Sequence, residues 1–266
     1  MLMPIVAQKT VGNNLVINTG YTWARDLTDS PDNDWVFGNP VQNAFNRAPE
    51  WGNNLFTPTQ RLYAAVIWSL PIGKGQRFFN SLNGWQNAVF GGWRTSYVAT
   101  LQTGQWFTPN YDGFDSSNTN YLQPVDGNLG GRPDRVPGTS LYPSNRTINN
   151  WFNPNAFAIP GCPFTTPVCT NPADVGRFGN AAPNQLAAPP TKNLDFTLMK
   201  DFLIMEKRRL QFQAVFANVF NHPAFGYPAA DISATSTVGV ITSTVGNYLQ
   251  GSSPERVINF VLRFQF

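Results

Sequence analysis

The residues of this chain best suited to chemistry are its one histidine, His222, and its two cysteines, Cys162 and Cys169, and their spacing allows little of it. A single histidine cannot supply a two-histidine metal motif, and a Ser–His pairing lacks an elbow sequence around any serine. Within Asn221-His222-Pro223 it reads as a turn residue between a strand and a loop. Cys162 and Cys169 stand seven positions apart in GCPFTTPVC, a proline-rich loop with no histidine to complete a metal set. A local disulfide is favoured over free thiols and suits an oxidising cell exterior. The oxygen-rich run 112–120, DGFDSSNTN, lacks the closing glutamate of a calcium loop and reads as a polar loop. Gly73-Lys74-Gly75 is a basic turn, without the upstream glycine and following Ser or Thr of a phosphate loop. The expectation is a protein that is not an enzyme and carries no cofactor and no metal.

What must be positioned is therefore a surface. Charged residues are only 12% of the 266, about half the roughly 25% usual in soluble domains, while aromatics reach 14% and there are 22 glycines and 22 prolines. That mixture suits an all-β chain with many turns. A formal charge of +3, with the basic residues scattered, argues against a nucleic-acid partner. No stretch approaches the roughly 20 apolar residues of a membrane helix, so a membrane role falls to strands. Barrel strands of about 9 to 11 residues alternate lipid-facing apolar with lumen-facing polar side chains. Residues 15–23 do so, with Leu15, Ile17, Thr19, Tyr21 and Trp23 opposing Val16, Asn18, Gly20 and Thr22. Residues 93–101 set Trp93, Tyr97 and Leu101 against Arg94, Ser96 and Thr100. Leu194, Phe196 and Leu198 oppose Asp195 and Thr197, and Leu210, Phe212, Ala214 and Phe216 oppose Gln211 and Gln213. The last segment, 256–266, places Ile258, Phe260, Leu262, Phe264 and Phe266 opposite Asn259, Arg263 and Gln265. Weaker candidates are 61–70 and 4–9.

Connection lengths test this reading independently, because bacterial barrels alternate short periplasmic turns with long outer loops. With Phe266 at the periplasmic rim, 221–254, 107–190 and 27–59 become outer loops; 203–208, 72–86 and 10–14 become periplasmic connections. The loop 107–190 far exceeds the roughly 12 to 15 residues beyond which structureless loops are uncommon, which marks it as the candidate for contact with extracellular ligands. Its RPDRVPG and WFNPNAFAIPG stretches suggest an ordered but irregular excursion.

The chain resembles the C-terminal barrel of TonB-dependent receptors, in particular the Oar-like branch with a carboxypeptidase-regulatory-like domain. The stretches that carry the resemblance are NLVINTGYTWARDLTDS, RLYAAVIWSLPIGKG, GGWRTSYVATLQTGQWFT, WFNPNAFAIP, GRFGNAAPNQLAAPPTKNLDFTLMKDF, RRLQFQAVFANVFNHPAFGYP and RVINFVLRFQF. The most specific is NVFNHPAFG, residues 218–226. The resemblance implies an antiparallel transmembrane β-barrel segment spanning 1–266, with about six or seven strands of a larger barrel of around 22 and long extracellular loops. It further implies a transporter or receptor in the cell outer membrane of a Gram-negative bacterium, moving a bulky substrate. Its expected partners are outer-membrane lipid, the barrel-assembly machinery, an extracellular ligand, and the TonB complex acting through a plug. MLMPIVAQKTVGNN lacks the pattern of a signal peptide, and the signal peptide, regulatory-like domain and plug are expected to lie outside this segment.

On this reading Ile258, Phe260, Leu262, Phe264 and Phe266 resemble the C-terminal signature read by the assembly machinery, against the plainer reading of an amphipathic edge strand. Arg94, Asp195 and Arg263 are candidate lumen-lining residues, polar lumen positions being the default in any large barrel. Trp23, Trp68, Trp93, Tyr97 and Phe220 are candidates for the interfacial aromatic girdles. Two alternatives stay open: a surface barrel whose loops serve adhesion, and a soluble carbohydrate-binding β-sandwich.

Overall fold

The structure, a computed structural model, describes residues 1–30, 41–43, 45–112, 116–117, 131–160, 176–205, 208–244 and 254–266. Seven strands form one antiparallel sheet in chain order: β1 (Leu2–Val11), β2 (Leu15–Ala24), β3 (Gln60–Ser69), β4 (Trp93–Gln102), β5 (Thr191–Met205), β6 (Arg208–Ala217) and β7 (Val257–Gln265). Each strand pairs with the next, an up-and-down meander that needs no crossover. The β1–β2 turn is three residues, opened by Gly12 at φ +57°, where a side chain would be strained. The connection between β3 and β4 carries a short helix, α1 (Gly84–Phe90). Three short connections gather at one end of the sheet and three long ones at the other, as the alternation of lengths requires.

Directly opposed residues of an antiparallel pair share a face, so the register fixes both surfaces. One face carries Leu15, Ile17, Tyr21 and Trp23 from β2, then Val66 and Trp68, Trp93 and Tyr97, Phe196 and Leu198, Phe212 and Phe216, and Ile258, Phe260, Leu262 and Phe264. The opposite face carries Asn18, Tyr63, Arg94, Ser96, Thr100, Asn193, Asp195, Asp201, Gln211, Gln213, Asn259 and Arg263. The apolar face is solvent-accessible where a soluble protein would cover it: Phe260 is 70% exposed and Leu262 68%. Such a mainly apolar band, broken at Thr19, Thr95 and Lys200, is what a lipid-facing wall presents. Ring contacts knit it together across strands, Phe196 lying 5.1 Å from Tyr97 and 5.7 Å from Phe216 between centroids.

The pairing also drifts. A row of partners starting at Leu15, the first residue of β2, passes through Trp68, Thr95, Leu198 and Ala214 to Phe260, five residues short of the end of β7 at Gln265. A stagger of about one residue per strand is the shear that accompanies tilted strands in a barrel wall. Among the described residues β1 pairs only with β2 and β7 only with β6, so the sheet is open along both edges. Hydrocarbon does not tolerate an open sheet edge, and closure requires strand partners there. The remaining strand pairs, Leu27–Thr28 with Gly52–Asn53, Trp106–Phe107 with Leu186–Ala187, and Asp134–Arg135 with Phe157–Ala158, are two residues each. Among the described residues none of these is long enough to be the second layer of a sandwich, which speaks against the soluble β-sandwich reading.

Candidate functional site

The molecule's hydrophobic core lies among the long loops rather than on the sheet. Phe107, Tyr111, Phe152, Phe157, Ile159, Leu186 and Ile232 are buried together, with Trp151, Tyr227 and Val238 packed around them. These residues come from the β4–β5 and β6–β7 connections. Edge-to-face contacts set the rings, with Phe152 5.8 Å from Phe107 and 6.1 Å from Phe157. The β6–β7 loop is stitched to the β4–β5 loop by backbone bonds: Asn110 N–H donates to Ala230 O, Ile232 N–H to Asn110 O, and Trp151 N–H to Gly239 O.

The β2–β3 loop is joined to the same body by polar side chains. Asn53 and Asn184 exchange bonds, each Nδ2 donating 2.9 Å to the other's carbonyl, and Gln42 Nε2 donates to Gly179 O. The deepest link is a bidentate pair: Arg132 Nη1 and Nη2 lie 3.0 and 2.9 Å from Glu50 Oε2 and Oε1, with both side chains at most 4% exposed. Burial pushes the Arg132 guanidinium below its usual value, and Glu50, by charge and hydrogen bond, pushes back. Glu50 Oε1 also accepts from Gln42 N–H.

The RPDRVPG stretch thus acts as a polar hub. Beyond Arg132, Asp134 takes a bidentate pair from Arg177 at 2.9 and 2.7 Å, and Arg135 donates to the carbonyls of Val136, Ala156 and Thr139. Gly179 has to be glycine here, because a Cβ would stand 1.9 Å from Arg132 O. Gly179→Ala is expected to destabilise the loop body by about 1–3 kcal/mol, read as an earlier loss of protease resistance on heating.

Below this cap, the polar face of the sheet carries a connected row. Arg94 Nη2 lies 2.5 Å from Asp201 Oδ2, Gln211 Nε2 donates 2.9 Å to Asp201 Oδ1, and Gln213 Nε2 donates 2.6 Å to Gln211 Oε1. Arg263 stands opposite Gln211 in the register, so Arg94 and Arg263 flank one acidic residue. The Arg94 and Asp201 side chains are 40% and 33% exposed, a pair wet enough that Asp201→Asn should shift stability by less than about 1 kcal/mol in a melting experiment. Asp195 is not in this cluster. It lies toward the cap, where its carboxylate accepts from Asn193 Nδ2 at 3.0 Å and from Asn218 N–H at 2.8 Å.

That second contact explains the NVFNHPAFG stretch. Asn218, at φ +48°, leaves β6 and clamps the next turn, its side chain bonding both His222 N–H and His222 O at 2.9 Å. Asn221 Oδ1 then accepts from Arg256 N–H at the return into β7. His222 thus serves this turn through its backbone. Ile258, Phe260, Leu262 and Phe264 share the lipid-side face of β7, Phe260 stacking on Phe212 at 6.3 Å, and Phe266 follows the strand with its ring 6.1 Å from Phe264. Trp23, Trp68, Trp93 and Tyr97 share that face, while Phe220 lies in the turn beyond β6. Cys162 and Cys169 lie outside the described residues, as does most of 112–120.

Sequence reasoning missed Glu50, Asp201, Asn184 and Lys200. Glu50 has no local signal, since its partner is 82 positions away. Asp201 had one, at the same period as Asp195 and Thr197 on the polar face.

No curated protein and no solved structure matches this chain. The sequence model of a family described as an outer membrane beta barrel domain matches residues 3–258, and with the two-faced staggered sheet this places the strands in the outer membrane; the chain belongs to that family.

Proposed function

We propose that this barrel wall belongs to a TonB-dependent transporter of bulky substrates, with the loop cap as its ligand-contacting surface. The observation that carries the reading is the joining of all three outer loops into one body with its own core, at one end of a polar sheet face that carries Arg94, Asp201, Gln211 and Arg263. A passive pore needs no such body over its mouth. The resemblance of NVFNHPAFG and the strands around it to the Oar-like branch supplies the energy-coupling part of the proposal, and β7 with Phe266 is its assembly signal.

The test uses the lumen face, so it requires no known substrate. With Gln213→Cys in a chain carrying Cys162→Ser and Cys169→Ser, and bulky maleimide added to intact cells in growth medium, labelling should proceed while the proton-motive force is on and fall when an uncoupler collapses it. Equal labelling in both conditions would sink energised transport and leave a surface-interaction barrel.

A further inference from the structure

The β3–β4 connection, residues 70–92, is longer than a turn needs to be, and its aromatic side chains are exposed. Phe78, Phe79, Trp85, Val89 and Phe90 are each about half exposed or more, Trp85 at 70%. Trp85 and Val89 stand one helical turn apart on α1, whereas Asn87, on the other side, is turned inward to accept from Lys74 N–H at 2.7 Å. Between residues 70 and 92 there are two basic residues, Lys74 and Arg77, and no acidic ones.

Two contacts fix which side of the sheet this segment occupies. Trp93 Nε1 donates 2.9 Å to Val89 O, and Lys200 Nζ donates to the carbonyls of Val89 and Gly91. Trp93 and Lys200 are register partners on the apolar, lipid-side face, and the Lys200 ammonium also sits 5.1 Å from the Trp93 ring. The end of α1 is therefore held against the lipid side of the wall, at the rim of the short connections. At that end the segment adjoins the lipid-facing band through Trp93.

We propose that residues 70–92 form an interfacial anchor in the periplasmic leaflet, with Trp85, Val89, Phe78 and Phe79 at the headgroup–acyl boundary and Lys74 and Arg77 on the phosphates of anionic phospholipid. An amphipathic segment with aromatics on one side and basic residues beside them has the chemistry of that boundary. Arg77 already lies over the Phe78 ring at 5.6 Å, placing a cation at the depth of the aromatics. The inference rests on the barrel wall alone and stands apart from the transport proposal.

Spin labels at positions 85, 89 and 87, in full chain carrying serine at 162 and 169, would be measured in isolated outer membranes. Collisions with oxygen should exceed those with a water-soluble nickel complex at 85 and 89, and the order should reverse at 87. A label at 198, on the wall's lipid face, marks the membrane-exposed limit. Lipid discs extracted around the protein should be enriched in phosphatidylglycerol over phosphatidylethanolamine, the ratio falling about fivefold for each of K74Q and R77Q. Nickel-dominated collisions at 85 and 89 would overturn the anchor, and an unchanged lipid ratio in both variants would overturn the headgroup assignment.

Discussion

Glu50→Ala opens the outer cap and leaves the seven-stranded wall in place. The substitution strands the Arg132 guanidinium in a site where the side chain is 4% exposed, and Arg132 Nε already lacks a hydrogen-bond partner among the described residues. Removing one partner of a buried pair costs about 3–5 kcal/mol, because the surviving charge stays desolvated and uncompensated. Gln42 N–H loses its acceptor in the same step. Since whole domains are stable by only about 5–15 kcal/mol, a loss of this size at the junction of two loops should be read locally as their separation. External protease added to intact cells should then cut within 103–190, while the strands remain protected. The double variant Glu50→Leu with Arg132→Met should recover much of the resistance, because an apolar pair of similar volume needs no counter-ion. A cap that stays resistant in the single variant would show that the pair contributes little.

This separation between cap and wall also decides what the sequence could disclose. A barrel wall meets hydrocarbon on one side and water on the other, so each strand records its environment residue by residue, and the record is local. That is why β2, β4 and β7 begin within a residue or so of where alternation places them, and why loop lengths alone order the two ends. β3 is fainter because Ala65 and Ile67 put apolar side chains on the polar face too. β5 runs from Thr191 to Met205, longer than its clean alternation, because Lys200 interrupts the apolar face. The cap has no such code. Its stability comes from pairings such as Glu50 with Arg132 and Asn53 with Asn184, 82 and 131 positions apart, in segments with no period. Helix α1, at seven residues, is too short for helical periodicity to stand out. Even the most recognisable stretch, NVFNHPAFG, was legible as a likeness before it was legible as physics: Asn218 and Asn221 are there to turn the chain between β6 and β7.

The assignment of faces has an equally sharp consequence at the centre of the wall. Leu198 and Thr197 are neighbours on β5 that face opposite sides: Leu198 sits between Thr95 and Ala214, Thr197 between Ser96 and Val215. Leu198→Arg places a guanidinium against lipid and should cost about 2–4 kcal/mol near the membrane midplane. Thr197→Arg projects the same group into the water-facing side, toward the Arg94–Asp201 row, and should cost under about 1 kcal/mol. The incoming side chain and the strand are the same in both variants, and the medium each face meets is the largest difference between them. Denaturant midpoints of the membrane-inserted protein should fall clearly for the first variant and hardly for the second. Equal shifts would mean that the apolar face is not against lipid. A reversed order would exchange lumen and membrane, and would carry Arg94, Asp201 and Arg263 out of any path a solute takes.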